Sequence, residues 1–191
     1  MDFKQLVLQC RTYRRFTQQP IDPAILDELL ENVRNSNSAM NAQVLRFLLV
    51  SDRELVARMQ DTIHWAGALP PGVGTPKEGE QPTAFVLICK KGKANPWADI
   101  DVGICARTMS LNACSYGIGS AMLGAVEWNR VRDILDIPED WNPRLLLALG
   151  YPGCKSTLVE PGEDGSLKYY LDENGDYCVP KLPLSELVIK K

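Results

Sequence analysis

Residues 35–47 read NSNSAMNAQVLRF, and the stretch sets Ser38, Asn41 and Gln43 directly ahead of an apolar run with the character of a buried strand. Small and amide side chains at such a point can reach a planar polar ligand. A second patch, CRTYRRF at residues 10–16, gathers Arg11, Arg14 and Arg15 around Thr12 in a chain whose net charge is -3. Guanidinium groups this close repel one another unless they are solvated or share an anion. Phosphate is the natural anion, because the planar fork bonds its oxygens in pairs and a nearby hydroxyl adds a donor. Lys181, in VPKLPL, offers a further cation from the far end of the chain. Together the patches point to an anionic, ring-bearing cofactor.

The chain has 191 residues, 45% hydrophobic and 24% charged, the make-up of an ordinary globular protein, and it predicts one domain over residues 1–191. A pI near 5.3 argues against broad nucleic-acid binding, which needs a basic stripe along the phosphates. No window has the long uncharged apolar run of a membrane span, and the start, with Asp2 and Lys4, lacks the pattern of a signal segment. The expected location is cytoplasmic. Cys10, Cys89, Cys105, Cys114, Cys154 and Cys178 form no C-x-x-C pair, and His64 is the sole histidine, so no metal site is expected. Cysteines inside apolar runs such as VLICKK behave as small buried hydrophobes and fit a reducing compartment.

Asp2 is placed to cap a helix over FKQLVLQCR that delivers the arginine patch. Asp22 and Pro23 open a second helix, with Ile25, Leu26, Leu29, Leu30 and Val33 in one stripe, ending near Asn35. A strand is expected at 47–50, then a helix from Asp52 toward His64 and Trp65. Residues 67–82 are rich in Gly and Pro and read as a mobile loop, a lid over the site. A strand at 84–89 precedes a long buried helix from Asp99 or Asp101 to about Tyr116. Beyond Gly117-Ile118-Gly119 follow a short extended piece, a helix near 129–135, a strand at 145–149, and a hairpin of 167–171 with 177–179 turning at Glu173-Asn174-Gly175.

GIGSAMLG at residues 117–124 follows a helix, whereas the dinucleotide-binding glycine motif follows a strand, so the Rossmann reading fails. Gly117 is explained by a helix C-cap; Gly124 is better explained by close approach of the backbone to a flat ring, with the N–H groups of Leu123 or Gly124 facing it. GVGTPK lacks the Gly-Lys-Ser/Thr ending of a phosphate loop. Asp172, Asn174 and Asp176 resemble a calcium loop whose twelfth position falls on Pro183, which leaves a hairpin turn. His64 has no nucleophile assigned to it and reads as a surface or packing residue. No side chain is assigned as nucleophile or general base.

In this order and spacing the blocks resemble the nitroreductase family of FMN-dependent oxidoreductases over nearly the whole chain. CRTYRRF resembles the family's R-R-S-x-R-x-F, with Arg11, Thr12, Arg14 and Phe16 on matching positions. SNSAMNAQVLRF resembles P-S-x-x-N-x-Q-x-x-R-F, with Ser38, Asn41, Gln43, Arg46 and Phe47 matching. The run from Asp101 through LNACSYGIGSAMLG to LLLALGYP resembles the helix, glycine turn and strand that follow, and VPKLPLSELV the C-terminal P-K-R-x-L segment.

The resemblance implies an α+β fold with a central mixed, largely antiparallel sheet flanked by helices, in an intertwined homodimer with its sites at the subunit interface. It implies that Arg11 and Thr12, helped by Lys181, hold the FMN phosphate, and that Arg14 sits beside the pyrimidine end of the flavin. Ser38, Asn41 and Gln43 would reach FMN in the neighbouring subunit's site, and Leu123 and Gly124 would line the redox edge near N5. NADH or NADPH would give hydride to the flavin and leave, ceding its slot to a small organic acceptor such as a nitroaromatic or quinone. Acceptor choice would rest with the 67–82 loop and bulky neighbours such as Trp65 and Trp97. Cys10 stands where the family has its first arginine, Asn37 where it has proline, Leu182 where an arginine follows the C-terminal lysine, and Val44-Leu45 where Pro-Trp is common. Other readings are a non-catalytic FMN-binding or sensor protein, or a flavin-fold relative that fragments flavin or removes halide.

Overall fold

The computed structural model describes residues 2–92 and 96–191. Its elements are α1 (Phe3–Gln9), α2 (Pro23–Arg34), β1 (Leu45–Val50), α3 (Arg53–Gln60), β2 (Ala84–Lys91), α4 (Ala98–Ser115), β3 (Gly119–Leu123), α5 (Trp128–Leu135), β4 (Trp141–Gly150), β5 (Ser156–Val159), β6 (Tyr170–Leu171), β7 (Tyr177–Pro180) and α6 (Leu184–Leu187). Three aspartates read as N-caps act as such. Asp2 accepts from Gln5 N at 2.8 Å, Asp22 from Ala24 N at 2.9 Å, and Asp52 from Glu54 N and Leu55 N at 3.0 and 2.9 Å. The helix opened by Asp52 stops at Gln60, short of the expected His64. There the Thr62 hydroxyl turns back to Met59 O at 2.7 Å, and His64 N donates to Ala125 O at 2.9 Å, so tertiary pairing replaces the next helical turn.

The main sheet has the order β1-β2-β4-β3 and is antiparallel throughout. Its central strands hold unbroken apolar runs, residues 84–89 of β2 and 145–149 of β4, because both faces are covered there. Phe85, Leu87 and Cys89 of β2, with Leu146 and Ala148 of β4, pack with Val56 and Met59 of α3 and Val131 of α5. Val86 and Ile88, with Leu147 and Leu149, pack on the other side with Leu26 and Leu29 of α2 and Val102, Ala106 and Met109 of α4. An amphipathic sheet with one wet face would alternate; a three-layer sandwich gives continuous apolar runs such as AFVLIC and LLLAL. A small second sheet, β5-β7-β6, pairs β5 parallel and β6 antiparallel to β7. Asp172 closes its hairpin, accepting from Asn174 N at 2.9 Å and Asp176 N at 2.8 Å, an Asx turn.

Leu147→Ala removes a fully buried side chain between sheet and helices. Urea unfolding is expected to show a loss of about 2–5 kcal/mol, while Lys4→Ala on the exposed face of α1 changes stability by under about 0.5 kcal/mol.

Candidate functional site

The arginine segment is held by the outer edge of β3. Thr12 forms a parallel bridge with Ser120, and Tyr13 N donates to Ser120 O at 3.0 Å. Gly119 allows this approach: a Cβ there would lie 2.7 Å from the Tyr13 ring. Further on, Phe16 N donates to Glu80 O and Thr17 N to Tyr151 O, each at 2.8 Å, and Phe16 is buried. With its backbone fixed on both sides, the segment distributes its arginines by position. Arg15 donates to Gly175 O in the hairpin turn, a structural contact. Arg14 lies over the rings of Tyr169 and Tyr177, at 4.3 and 5.2 Å from their centroids.

Arg11, Thr12, Arg14 and Lys181, brought from the two ends of the chain, line one cavity of about 280 Å³. A fourth cation, Arg107 of α4, joins them, and among the described residues no carboxylate lines the cavity. The sequence reading missed Arg107, since nothing in GICARTM distinguishes it from any exposed helix arginine; only the packing of α4 beside Cys10 reveals it. Ser120 and Met122 of β3 and Ser156 of β5 complete the walls. Arg11 donates to Val7 O at 2.8 Å, yet its Nε is buried without a partner, as is the Ser156 hydroxyl.

Ser38 and Gln43 line a different recess, of about 190 Å³, between α2, β1 and α4. Its organiser is Asp101, a buried carboxylate of α4 that accepts from the Ser38 hydroxyl and from Ala39 N, each at 3.0 Å. Ser38 in turn accepts from Gln43 N at 3.0 Å. Between these anchors Met40, Asn41 and Gln43 take left-handed φ angles of 54, 51 and 46°. Such residues each cost about 1–3 kcal/mol and persist where neighbours over-determine them. Asn41 and Gln43 are exposed, joined by Gln43 Nε2 to Asn41 Oδ1 at 3.0 Å. Within the chain, therefore, the amide segment and the arginine cavity do not meet.

Leu123 is buried in the core on the face of β3 opposite Met122, and Gly124 is exposed just beyond the strand; neither lines the cavity. The 67–82 loop has no regular element and is tied down by Glu80 O and by Gln18 Nε2 donating to Gln81 O at 2.9 Å. Trp65 is core, whereas Trp97 is half exposed. His64 is exposed, 3.7 Å from Glu127. All six cysteines are free. Burial, reinforced by the Asp101 carboxylate, pushes the Cys105 thiol up to about 11, and burial does the same for Cys89 against the opposing pull of Arg132, so neither is a nucleophile near neutrality. Among the described residues no helix is long and apolar enough to cross a membrane, and no group of three or more His, Cys, Asp or Glu is placed to hold a metal ion.

The profile of the Nitroreductase family matches residues 7–151. A Thermus thermophilus protein named NADH dehydrogenase is 28% identical over 180 residues, covering 80% of this chain and 87% of that protein. The Bacillus subtilis protein named FMN reductase (NAD(P)H) is 24% identical over 169 residues, covering 76% of this chain and 64% of that protein. The crystal structure of a nitroreductase family protein from Clostridium difficile 630 superposes with a TM-score of 0.69 at 18% identity, over 99% of this chain and 98% of that one.

Asp101→Ala removes the acceptor for the Ser38 hydroxyl and Ala39 N. The loss of stability is expected to be about 1–3 kcal/mol. In hydrogen exchange the amides of Ala39 and Gln43 should lose protection while those of β2 and β4 keep theirs.

Proposed function

The chain belongs to the nitroreductase family, and we propose that it is an FMN-dependent oxidoreductase carrying electrons from NADH or NADPH to a small organic acceptor. The observation that carries this reading is the cavity lined by Arg11, Thr12, Arg14 and Lys181, with no carboxylate among its described lining residues. FMN and NAD(P)H in the name of the Bacillus relative support the choice of cofactor and donor. Bound FMN supplies hydride transfer; the protein binds, orients and polarises it. Arg11, Thr12 and Lys181 hold the phosphate. Arg14, steadied on two tyrosine faces, keeps a fixed positive charge where the reduced ring gains negative charge. Leu123 and Gly124, at the end of β3 outside the cavity, offer backbone groups to a ring that extends beyond it.

A homodimer completes the site in this reading. A cavity of about 280 Å³ is small for a whole tricyclic cofactor with its chain and phosphate, since small-molecule sites span roughly 300–1,000 Å³. Phe3, Leu8, Met40, Ile100 and Ile104 are all exposed apolar side chains, and α1 has no buried residue although a helix of 7 residues is marginal alone. A second copy covering these surfaces brings Ser38, Asn41 and Gln43 to its partner's cofactor. The chain acts as one domain, residues 1–191, in each half of the pair.

Anaerobic addition of NADH or NADPH to the purified yellow protein is expected to bleach the flavin absorbance within the dead time of manual mixing. Bound flavin that stays oxidised would instead make this an FMN-binding or sensor protein, and colourless protein would remove FMN altogether. Arg14→Ala should lower the flavin reduction potential and slow reduction by the nicotinamide, whereas Arg15→Ala, which loses the contact to Gly175 O, should change stability more than potential. Equal effects on potential would take Arg14 out of its assigned role.

A further inference from the structure

We propose that Arg107 of α4 is a phosphate ligand of this cavity, supplying from another element the charge that the arginine segment lacks at Cys10. The inference rests on the FMN reading above and goes beyond it in naming a residue of α4 to which the family resemblance assigns no role.

Cys10 is 5% exposed and its thiol is committed on both sides. Its S–H donates to Ser110 O at 3.3 Å, and its sulfur accepts from Arg107 Nη1 at 3.1 Å. Arg107 and Ser110 stand three residues apart on one face of α4, so the helix clasps the sulfur between a carbonyl and a guanidinium. A guanidinium carries five N–H donors, and the bond to sulfur uses one of them. The remainder belong to a side chain that lines the cavity beside Arg11, Thr12 and Ser110. Among the described residues Arg107 has no carboxylate partner within ion-pair distance, and the cavity offers none. A partly buried guanidinium without a counter-ion is costly unless an anion joins it. An arginine in place of Cys10 would bring a second guanidinium against Arg107. The two arrangements are therefore alternative ways to fill one space with one cation. The short, neutral thiol leaves the room, and the helix fills it.

The test compares FMN with riboflavin, which has the same ring and ribityl chain without the phosphate. Flavin-free full-length protein is titrated with each, following quenching of flavin fluorescence, for wild type and Arg107→Ala. The expected result is FMN binding weakened on the order of 10- to 100-fold by loss of charged hydrogen bonds, with riboflavin binding unchanged and the salt dependence of FMN binding reduced. Unchanged FMN affinity would overturn the proposal, as would equal weakening of both flavins, which signals a disturbed fold. A wild type that binds neither flavin would overturn the FMN reading and this inference with it. Should Arg107→Ala fail to fold in a thermal melt, Arg107→Lys decides: it keeps the charge and loses the fork, and a selective FMN loss of roughly 3- to 10-fold is expected.

Discussion

The outer edge of β3 is the constraint on which the site depends. An edge strand presents unpaired N–H and C=O groups and has to be covered. Here the cover is Thr12 and Tyr13, bonded to Ser120, and the chain beyond them is tied to Glu80 and Tyr151. Docking the segment also decides where each arginine points. Arg14 is directed to the tyrosine faces and the cavity, Arg15 to the hairpin carbonyl of Gly175. The same edge supplies Ser120 and Met122 to the cavity while Ala121 and Leu123 go to the core. One short strand thus separates a binding wall from the packed interior.

Concentrating positive charge in a chain of net charge -3 has a physical cost. Two like charges ~4 Å apart repel by about 4 kcal/mol at the effective dielectric of a protein surface. The structure disperses the cost by giving each of the three arginines a separate neutral anchor. Arg11 bonds Val7 O at 2.8 Å, Arg14 rests on two aromatic rings, and Arg107 bonds the Cys10 sulfur at 3.1 Å. None of these partners neutralises the charge. The anchors orient the cations and leave their field directed into the cavity, which is what electrostatic preorganisation toward an anion requires.

Much of this was legible in the chain because it is local. The caps at Asp2, Asp22 and Asp52, the apolar runs of the central strands and the turn at Asp172 all follow from neighbouring residues. The arginine segment and Lys181 were also readable, since their chemistry is unusual in an acidic chain. What stayed hidden depends on distant pairing. β5 is four residues whose partner strand begins twenty-one residues later, so its sequence alone carries little signal. Arg107 enters the cavity because α4 packs against Cys10, a contact across 97 positions. The role of Ser38 was legible only in part: its hydroxyl spends its proton on Asp101 and accepts from Gln43 N, so it shapes the loop that presents Asn41 and Gln43.

That loop and the cavity share one reference, α4. Asp101 near its start fixes the strained turn of Met40, Asn41 and Gln43, and Arg107, six residues on and so about 9 Å along the axis, reaches the cavity. Eight residues of the helix are buried, more than in any other helix among the described residues, which makes it a packed frame for both features. In the paired form proposed above, the loop of one protomer has to meet the cavity of the other within hydrogen-bonding tolerance. A loop that relaxed freely would lose that register, because each of its left-handed residues would fall back to a commoner conformation. The buried carboxylate of Asp101 prevents this by holding Ser38 and Ala39 against the frame that also carries Arg107, so the positions of amide and cation are set by the same packed helix.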